Sequence, residues 1–277
     1  MQNAGFAALG LNWRYLAFEV SPAQLRQAIC GAQAMRFIGL NLTVPHKLLA
    51  LELVDVLDES ARAWGAVNTI RFEAKDAAGR WQPLAAVPEN VSEPIRSHGF
   101  NTDADGLARS LREDLELELR GARALVLGAG GAGRVAALKL ASEGVSDLFL
   151  VNRTMAKAEA IGREIQDRFP RVRVRLGFPP TPIDLVLNAT SLGLHPDDPP
   201  PLDEREFPLR QARVVYDMIY RPAETGFLKA ARLAGCRVAN GLGMLLYQGA
   251  GALELWTGKT APLEVMREAL RRNVYGH

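Results

Sequence analysis

The chain has 277 residues, of which 48% are hydrophobic and 23% are charged, a balance typical of a globular protein with a sizeable core. Its 33 basic and 31 acidic residues are interspersed and leave a formal net charge of +2, so the charge pattern indicates neither a nucleic-acid partner nor an acidic tail. Because no signal-peptide pattern and no run of about eighteen apolar residues occurs, we expect no membrane partner and a cytoplasmic location. Cys30 and Cys236 lack metal-ligand spacing, so we expect two reduced, buried thiols and no metal site.

The first hundred residues predict an α/β region built from short units. Ser21 and Pro22 indicate a helix start, since serine caps a first turn and proline fits its first position. The predicted elements in chain order are a strand at 13–20, a helix from 21 to about 35, a strand at 37–45, a helix from about 46, a short helix ending at 64–65, a strand at 66–72, a turn at 75–79 and a partner strand from 81. The helix from His46 is expected to bury five apolar side chains, those of Leu48, Leu49, Leu51, Leu53 and Val54. Residues 83–98 show neither helical nor strand period and predict an unusually long loop.

From residue 104 onward, strand and helix patterns alternate. The predicted elements are a helix at 107–119, a strand at 123–128, a helix at 132–143, a strand at 147–151, a helix at 155–169, strands at 184–188 and 214–217, and helices at 244–256 and 263–273. This alternation predicts a parallel, doubly wound sheet of the Rossmann type. The last two helices have no strand after them, so we expect them to pack back on the first domain. The fold class is therefore α/β with two domains and an active cleft between them.

A glycine loop in the second domain predicts dinucleotide binding. Residues Gly128, Ala129, Gly130, Gly131, Ala132 and Gly133 match G-x-G-x-x-G, after an apolar strand and before a helix-forming run. Glycines there permit a tight turn and let the amides at the helix N-terminus approach a pyrophosphate. An ordinary strand-to-helix turn is the alternative.

The residues after the next strand favour NADP over NAD. An acidic residue there would bind the ribose hydroxyls of NAD, whereas this chain has Asn152, Arg153, Thr154 and Lys157. Two cations and a hydroxyl suit a 2′-phosphate. Thr154 also fits a helix N-cap, and the two roles are compatible.

Lys47 is the first candidate for chemistry. It follows a Val-Pro step after the apolar run 37–44, which places its ammonium group at the end of a strand, where open α/β sheets bind ligands. A lysine after a proline is ordinarily a solvated surface residue. The interpretation as a functional lysine therefore depends on the other motifs.

The ordered motifs together resemble the shikimate dehydrogenase family over nearly the whole chain. They are Asn-x-Thr-x-Pro-x-Lys at 41–47, Gly-Ala-Val-Asn-Thr at 65–69, Phe-Asn-Thr-Asp at 100–103, the glycine loop, Asn-Arg-Thr at 152–154, Asn-Ala-Thr-Ser-x-Gly at 188–193, Asp-Met-Ile-Tyr-x-Pro at 217–222 and Gly-x-Gly-Met-Leu-x-x-Gln at 241–248. The resemblance implies reversible NADPH-dependent reduction of 3-dehydroshikimate to shikimate, in the biosynthesis of chorismate and the aromatic amino acids. It also implies a substrate domain at 1–103, an NADP-binding domain at 104–242 and C-terminal helices at 243–277, in a monomer or homodimer.

The resemblance also implies roles for individual residues. Lys47 and Asp103 would be the catalytic pair, and a lysine beside a carboxylate suits proton delivery to a developing alkoxide. The substrate-binding residues would be Thr43, Asn68, Asp103, Tyr220 and Gln248. Besides the glycine loop and Asn152, Arg153, Thr154 and Lys157, the cofactor-binding residues would be Thr190, Ser191, Met218, Gly241, Met244 and Glu59. Met218 and Met244 fit equally well as core residues.

The chain departs from the family pattern at its start. Family members usually have a first strand and a Ser-x-Ser-Pro loop that holds the substrate carboxylate, and neither precedes Asn3 here. We therefore expect a start codon assigned too far downstream or a truncation, with NADP binding retained and shikimate turned over poorly. The loop predicted at 83–98 is a second departure.

Two other hypotheses stay open at this stage. One is a quinate/shikimate dehydrogenase that uses NAD, against which Arg153 and Lys157 count. The other is a catalytically silent relative that binds NADP. Methylenetetrahydrofolate dehydrogenases share the two-domain plan but lack the pattern of Lys47 and Asp103.

Overall fold

The computed structural model describes residues 1–88 and 94–276. The chain divides into two compact units: unit one comprises Met1–Asp103 and Gln248–His277, and unit two comprises Ala104–Tyr247. Helices α5 (Asp103–Leu115) and α9 (Leu242–Thr257) each run from one unit into the other. None of the described helices is long and apolar enough to span a bilayer.

Unit one is a mixed sheet covered by short helices. Its remaining elements, as far as the chain is described, are α1 (Gln2–Ala8), α2 (Leu25–Ala34), β1 (Gly39–Asn41), α3 (His46–Leu49), β2 (Val56–Leu57), α4 (Glu59–Trp64), β3 (Thr69–Lys75), β4 (Trp81–Pro83), β5 (Ile95–Phe100) and α10 (Leu263–Tyr275), with single 3-10 turns at Pro22–Gln24, Ala50–Glu52 and Leu84–Ala86. The strand order is β1-β3-β5-β2, with β4 also paired to β3. Strand β3 is antiparallel to β1, β4 and β5, while β2 and β5 are parallel.

Alternation along β3 separates the core face of this sheet from its polar face. Ile70 and Phe72 are fully buried and pack with Leu25 and Ile29 of α2. Glu73 lies on the other face, because successive strand residues point to opposite sides. At one end of the sheet the Trp256 Nε1 donates to Ile70 O at 2.9 Å. Apolar periodicity correctly predicted several strands and helices of unit one, including the β3–β4 hairpin.

The strand predicted at 13–20 is wrong. Residues 11–21 have no regular secondary structure, and the side chains of Leu16 and Phe18 are 64% and 63% exposed. Apolar alternation predicts a strand only where a neighbouring strand supplies hydrogen bonds. Within the described residues, the nearby strand β1 pairs only with β3. The backbone of Tyr15 instead donates to the side chain of Asn3.

Two further predictions in unit one need correction. The helix at His46 has only four residues before it tightens into a 3-10 turn, so its 3.6-residue period is not sustained, and Leu48 and Leu49 are 67% and 43% exposed rather than buried. The strand predicted at 37–45 shrinks to Gly39–Asn41.

The long loop predicted at 83–98 is also wrong at both ends. Residues 84–86 form a 3-10 turn and strand β5 begins at Ile95. Arg96 and His98 interrupt the apolar pattern of β5, and the antiparallel register places them beside Glu73 and Arg71 on β3. Residues 89–93 of the predicted loop lie outside the described part of the chain.

Unit two confirms the parallel, doubly wound sheet. Its elements are β6 (Arg123–Leu127), α6 (Gly131–Ser142), β7 (Asp147–Val151), α7 (Met155–Arg168), β8 (Arg173–Leu176), β9 (Ile183–Asn188), β10 (Ala212–Asp217), α8 (Gly226–Leu233) and β11 (Arg237–Asn240). All described strand pairs are parallel, in the order β11-β10-β9-β6-β7-β8. This is the Rossmann strand order. From β6 the chain adds strands β7 and β8 on one side and then crosses to add β9, β10 and β11 on the other, so the switch point lies between β6 and β9. The ends of these two strands therefore form the expected ligand crevice of unit two.

The buried strands of unit two were predicted well, but its edge strands were not. Strands β8 and β11 lie at the two edges of the sheet, and all of their residues are exposed or only partly buried. Edge strands need no continuous apolar run, so the sequence pattern gave no signal for them. The helix predicted at 107–119 begins four residues earlier, at Asp103. Cys236 is buried as expected, but Cys30 is exposed.

Candidate active site

Lys47 and Asp103 form an ion pair in unit one. Lys47 is the second residue of α3 and Asp103 is the first residue of α5. The Lys47 Nζ lies 2.8 Å from the Asp103 Oδ2, and the two side chains are 27% and 16% exposed. The pair is thus partly shielded from water but still accessible to a small ligand.

Asn68 holds the second carboxylate oxygen of Asp103. Its Nδ2 lies 2.9 Å from the Asp103 Oδ1, 2.9 Å from the Thr102 Oγ1 and 3.4 Å from the Gln248 Oε1. Two amide hydrogens cannot serve three acceptors at once, so the longest contact is the one most easily exchanged for a ligand. Asn68 is only 2% exposed, and its Oδ1 accepts from the Thr102 N at 2.9 Å. The amide orientation is therefore fixed from both sides.

Three polar residues that the sequence analysis did not assign to the site extend this cluster. The Thr69 Oγ1 donates to the Asn68 Oδ1 at 3.0 Å, and the Asn41 Nδ2 donates to the Thr69 Oγ1 at 3.0 Å. The Tyr15 hydroxyl donates to the Asn41 Oδ1 at 3.0 Å. Asn41 and Thr69, like Thr102, lie within recognised motifs, so their positions were available as a signal. Tyr15 lies in a segment predicted as a strand, and no motif there indicated that it belongs to the site.

The other predicted substrate residues are less closely tied to this cluster. Thr43 is exposed, and its carbonyl accepts from the backbone N of His46 at 2.8 Å. Tyr220 belongs to unit two and is 38% exposed. What unit one brings together is an ammonium group, a carboxylate, three amides and several hydroxyls. Such a set can bind several hydroxyl groups of one ligand and transfer a proton to or from one of them.

The glycine loop of unit two has the geometry of a phosphate cradle. Gly128 has φ +101°, which disfavours any residue with a Cβ. A Cβ added at Gly133 would lie 2.0 Å from the Gly128 O, so the turn can close only with glycine there. Helix α6 begins directly after the N-cap Gly130, which offers no side chain to its first amides. Those amides are therefore suited to an anion.

The segment after β7 contacts this cradle through Asn152. The Asn152 Oδ1 accepts from the Ala129 N at 2.9 Å, and its Nδ2 donates to the Thr154 O at 2.8 Å. Asn152 thus joins the glycine loop to the start of α7. Thr154 occupies the N-cap position, but its side chain makes no capping hydrogen bond. Arg153 and Lys157 are exposed, and neither forms an ion pair with any described residue. The two cations and the hydroxyl are free to bind a phosphate.

The remaining predicted cofactor residues of unit two cluster at the ends of β9 and β10. Thr190 donates from its N and Oγ1 to the Asn188 Oδ1, at 3.0 and 2.7 Å, and Ser191 is exposed. The Met218 N donates to the Asn188 O at 3.0 Å. A Cβ at Gly241 would lie 2.1 Å from the Met218 O, so the two segments need glycine to approach each other. Met218 and Met244 are both partly exposed and do not fill the core. Glu59 belongs to unit one, where it is exposed in the first turn of α4.

Comparison with known proteins identifies the family. A curated shikimate dehydrogenase (NADP(+)) from Moorella thermoacetica is 44% identical over 98% of this chain and 87% of its own length. The chain belongs to the shikimate dehydrogenase family. Family models match residues 1–70 as a shikimate dehydrogenase substrate binding domain, residues 108–175 as shikimate / quinate 5-dehydrogenase and residues 241–271 as a shikimate 5′-dehydrogenase C-terminal domain.

Solved structures of this family have the same fold. A crystal structure of a shikimate dehydrogenase in complex with NADP+ matches with a TM-score of 0.81 at 32% identity, covering 99% of this chain and 89% of the other. A ligand-free 5-ketofructose reductase from Gluconobacter sp. strain CHM43 also matches with a TM-score of 0.81, at 35% identity over 98% of this chain and 91% of the other. Members of this fold therefore include enzymes named for different substrates, so the residues at the site must decide specificity.

Proposed function

We propose that this chain is an NADP-dependent shikimate dehydrogenase, which catalyses the reversible reduction of 3-dehydroshikimate to shikimate in aromatic amino-acid biosynthesis. The observation that carries the proposal is the Lys47–Asp103 pair at 2.8 Å, with the Asn68 amide on the other carboxylate oxygen. Family membership at 44% identity supports the same reaction.

The residues of unit one supply the proton and the substrate contacts. The hydride for the ketone carbon would come from NADPH when it is bound. The Lys47 ammonium group donates to the ketone oxygen and protonates it as the alkoxide develops, and the lysine is reprotonated from solvent. In the oxidative direction the same nitrogen accepts the hydroxyl proton. Asp103 holds Lys47 and accepts a hydrogen bond from a neighbouring ring hydroxyl. Thr43, Asn68 and Gln248 bind the other substrate oxygens, and the family resemblance assigns the same role to Tyr220 of unit two.

The proposed cofactor residues of unit two form three groups. The loop Gly128, Ala129, Gly130, Gly131, Ala132 and Gly133 with the α6 N-terminus would hold the pyrophosphate. Arg153, Thr154 and Lys157 would hold the 2′-phosphate, with Asn152 fixing their segment. The residues at the nicotinamide end would be Thr190, Ser191, Met218, Gly241 and Met244, and the family resemblance adds Glu59 of unit one. The first amides of α6, which have no side-chain cap, support this arrangement, as does Arg153, which forms no ion pair with any described residue.

The proposal extends to the organisation of the chain and its setting. Residues 1–103 would bind substrate, residues 104–242 would bind NADP, and residues 243–277 would complete the substrate domain. Small-molecule ligands, with no nucleic acid or membrane partner, fit the near-neutral net charge of +2. We expect a cytoplasmic enzyme. We also expect a monomer or homodimer, and light scattering during gel filtration would test this oligomeric state.

Steady-state kinetics with the purified chain test the function. The absorbance of the reduced cofactor, NADPH or NADH, is followed with shikimate or quinate as substrate and with NADP+ or NAD+ as acceptor, in all four combinations. In the reductive direction, NADPH oxidation is compared between 3-dehydroshikimate and 5-ketofructose. We expect the highest kcat/KM for shikimate with NADP+ and for 3-dehydroshikimate with NADPH.

The other outcomes distinguish the alternatives. A preference for quinate with NAD+ would assign the second dehydrogenase activity. Tight NADP+ binding without turnover of any of these compounds would assign a silent relative. Faster reduction of 5-ketofructose than of 3-dehydroshikimate would contradict the proposed substrate.

A further inference from the structure

Two buried polar residues face each other at the carboxyl ends of β9 and β10. Asn188 and Asp217 are partners in the strand register and are both 0% exposed. The Asn188 Nδ2 donates to the Asp217 Oδ1 at 3.0 Å. Neither residue was assigned a function above. Burying a carboxylate is unfavourable unless hydrogen bonds compensate for its lost hydration, so the partners of this one show what it holds in place.

The Asn188 side chain is the centre around which the next loop folds. Its Oδ1 accepts from both the N and the Oγ1 of Thr190, and its Nδ2 also lies 3.2 Å from the Leu192 O. The Thr190 Oγ1 in turn accepts from the Leu192 N at 3.1 Å. The backbone of residues 189–192 is thus held by hydrogen bonds to the single side-chain amide of Asn188. A flipped amide would place its NH₂ group against the Thr190 N–H, and two donors would then face each other. The loop conformation therefore depends on which way the amide points.

Asp217 determines that direction, because an ionised carboxylate only accepts hydrogen bonds. It requires an N–H group from Asn188, so the Asn188 oxygen must point toward Thr190. The Asp217 Oδ1 also accepts from the Ile219 N at 3.1 Å, and its Oδ2 accepts from the Thr225 Oγ1 at 2.7 Å. Thr225 caps α8 by accepting from the Leu228 N at 3.3 Å. Burial raises the pKa of the Asp217 carboxyl, and these hydrogen bonds act against that rise.

We propose that Asp217 is a positioning residue for the nicotinamide end of the cofactor, acting through Asn188 to shape the segment that carries Thr190 and Ser191. This inference rests on the proposed function, because it takes those two residues as cofactor contacts. The phosphate cradle at Gly128–Gly133 and the cations after β7 share no described hydrogen bond with Asp217. Ala189 and Thr190 do pack beside Gly128, where an added Cβ would lie 2.9 Å from the Thr190 Cγ2. We therefore expect loss of Asp217 to weaken contacts at the nicotinamide end more than those at the phosphates.

A comparison of two ligands tests the inference. NADP+ contains the nicotinamide, whereas 2′,5′-ADP contains the adenosine, the 2′-phosphate and one further phosphate but no nicotinamide. For Asp217→Ala we expect about tenfold weaker NADP+ binding, the equivalent of one lost hydrogen bond to a charged group, with 2′,5′-ADP affinity unchanged. For Asp217→Asn we expect nearly wild-type binding of both ligands. Its amide oxygen can accept from Asn188 and Ile219, and its NH₂ can donate to Thr225.

Matched variants keep the result decisive. Asp167→Ala, the same substitution at an exposed position of unit two, should change neither affinity. Should Asp217→Ala not fold, Thr225→Val removes one donor to the carboxylate and should also weaken NADP+ selectively. Equal losses for the two ligands, no loss for either ligand, or failure of Asp217→Asn to retain binding would overturn the inference. A wild-type chain that bound neither ligand would instead contradict the proposed function.

Discussion

Replacement of Lys47 by alanine separates proton transfer from cofactor binding. The substitution removes the ammonium group 2.8 Å from Asp103, while the Asp103 Oδ1 still accepts from Asn68. General acid–base groups typically contribute about 10²- to 10⁴-fold, so we expect kcat to fall by that factor. This corresponds to roughly 2.7 to 5.4 kcal/mol of transition-state stabilisation.

The expected loss of folding stability is smaller than this loss of catalysis. Both side chains are partly exposed, and Asp103 keeps one of its two side-chain partners. Ion pairs accessible to solvent contribute about 0 to 1 kcal/mol, so urea unfolding should shift only slightly. The binding of NADP+ should also be nearly unchanged, since the cofactor residues of unit two are not touched.

The assay is shikimate oxidation with saturating NADP+, combined with a fluorescence titration of NADP+ and a urea unfolding curve. Lys75→Ala is the matched control, because Lys75 is an exposed lysine of the same unit that lies over the Trp81 ring. A Lys47→Ala variant with kcat within threefold of wild type would refute the assignment of Lys47 as the proton donor. A double variant with Asp103→Asn should be no slower than the slower single variant if the two residues act as a unit.

Three further substitutions test other parts of the structure. Arg153→Ala should weaken NADP+ by about 1.5 to 3 kcal/mol, the scale of hydrogen bonds to a charged group, and leave NAD+ almost unaffected; equal losses in calorimetric titrations would mean a structural role. Gly133→Ala should weaken NADP+ at least about tenfold, because its Cβ would meet the Gly128 O at 2.0 Å, whereas Gly31→Ala, with open space around it, should bind normally. Glu73→Gln should lower the free energy of unfolding at neutral pH by roughly 1 to 3 kcal/mol. Burial opposes ionisation of Glu73, but hydrogen bonds from His98, Arg71 and Arg96 outweigh it and lower its pKa from 4.5 to about 2. The wild-type advantage should therefore be complete above pH 4.5 and disappear as the pH falls toward 2, and urea unfolding that shows a constant difference across this range would contradict it.

The elements that sequence patterns predicted best are those whose environment is uniform. Strands β6, β7 and β9 lie inside a parallel sheet covered on both faces, so nearly every residue is apolar and the run is unmistakable. Strand β5 has a buried face and a polar face, and Arg96 and His98 on the polar face conceal it. These two polar side chains are accommodated because they contact Glu73 on the neighbouring strand β3. A contact between two strands cannot be recognised from the local sequence pattern of one of them.

The polar contacts also differ in how far motifs predicted them. Motif positions predicted that Lys47, Asn68 and Asp103 belong together, and these three do share one hydrogen-bonded cluster. The link between Asn188 and Asp217 spans 29 residues and arises only from the register of β9 on β10. Both residues lie within motifs that the sequence shows. Their contact, however, depends on how β9 and β10 are aligned in the sheet, which the sequence does not show.

Both centres fix a carboxylate with the amide of an asparagine, but they leave different groups available. At Asp103 the asparagine takes one oxygen and a lysine takes the other, so a positive group remains at a position that a ligand can reach. Asp103 is also the first residue of α5, where the helix dipole favours a negative charge and thus helps to keep Lys47 in place. At Asp217 every described donor is neutral and the carboxylate is fully buried, so no proton donor faces a ligand there. The first arrangement suits proton transfer, whereas the second can only hold backbone segments in position. On this argument a conservative exchange of carboxylate for amide should be tolerated at Asp217 and should impair turnover at Asp103.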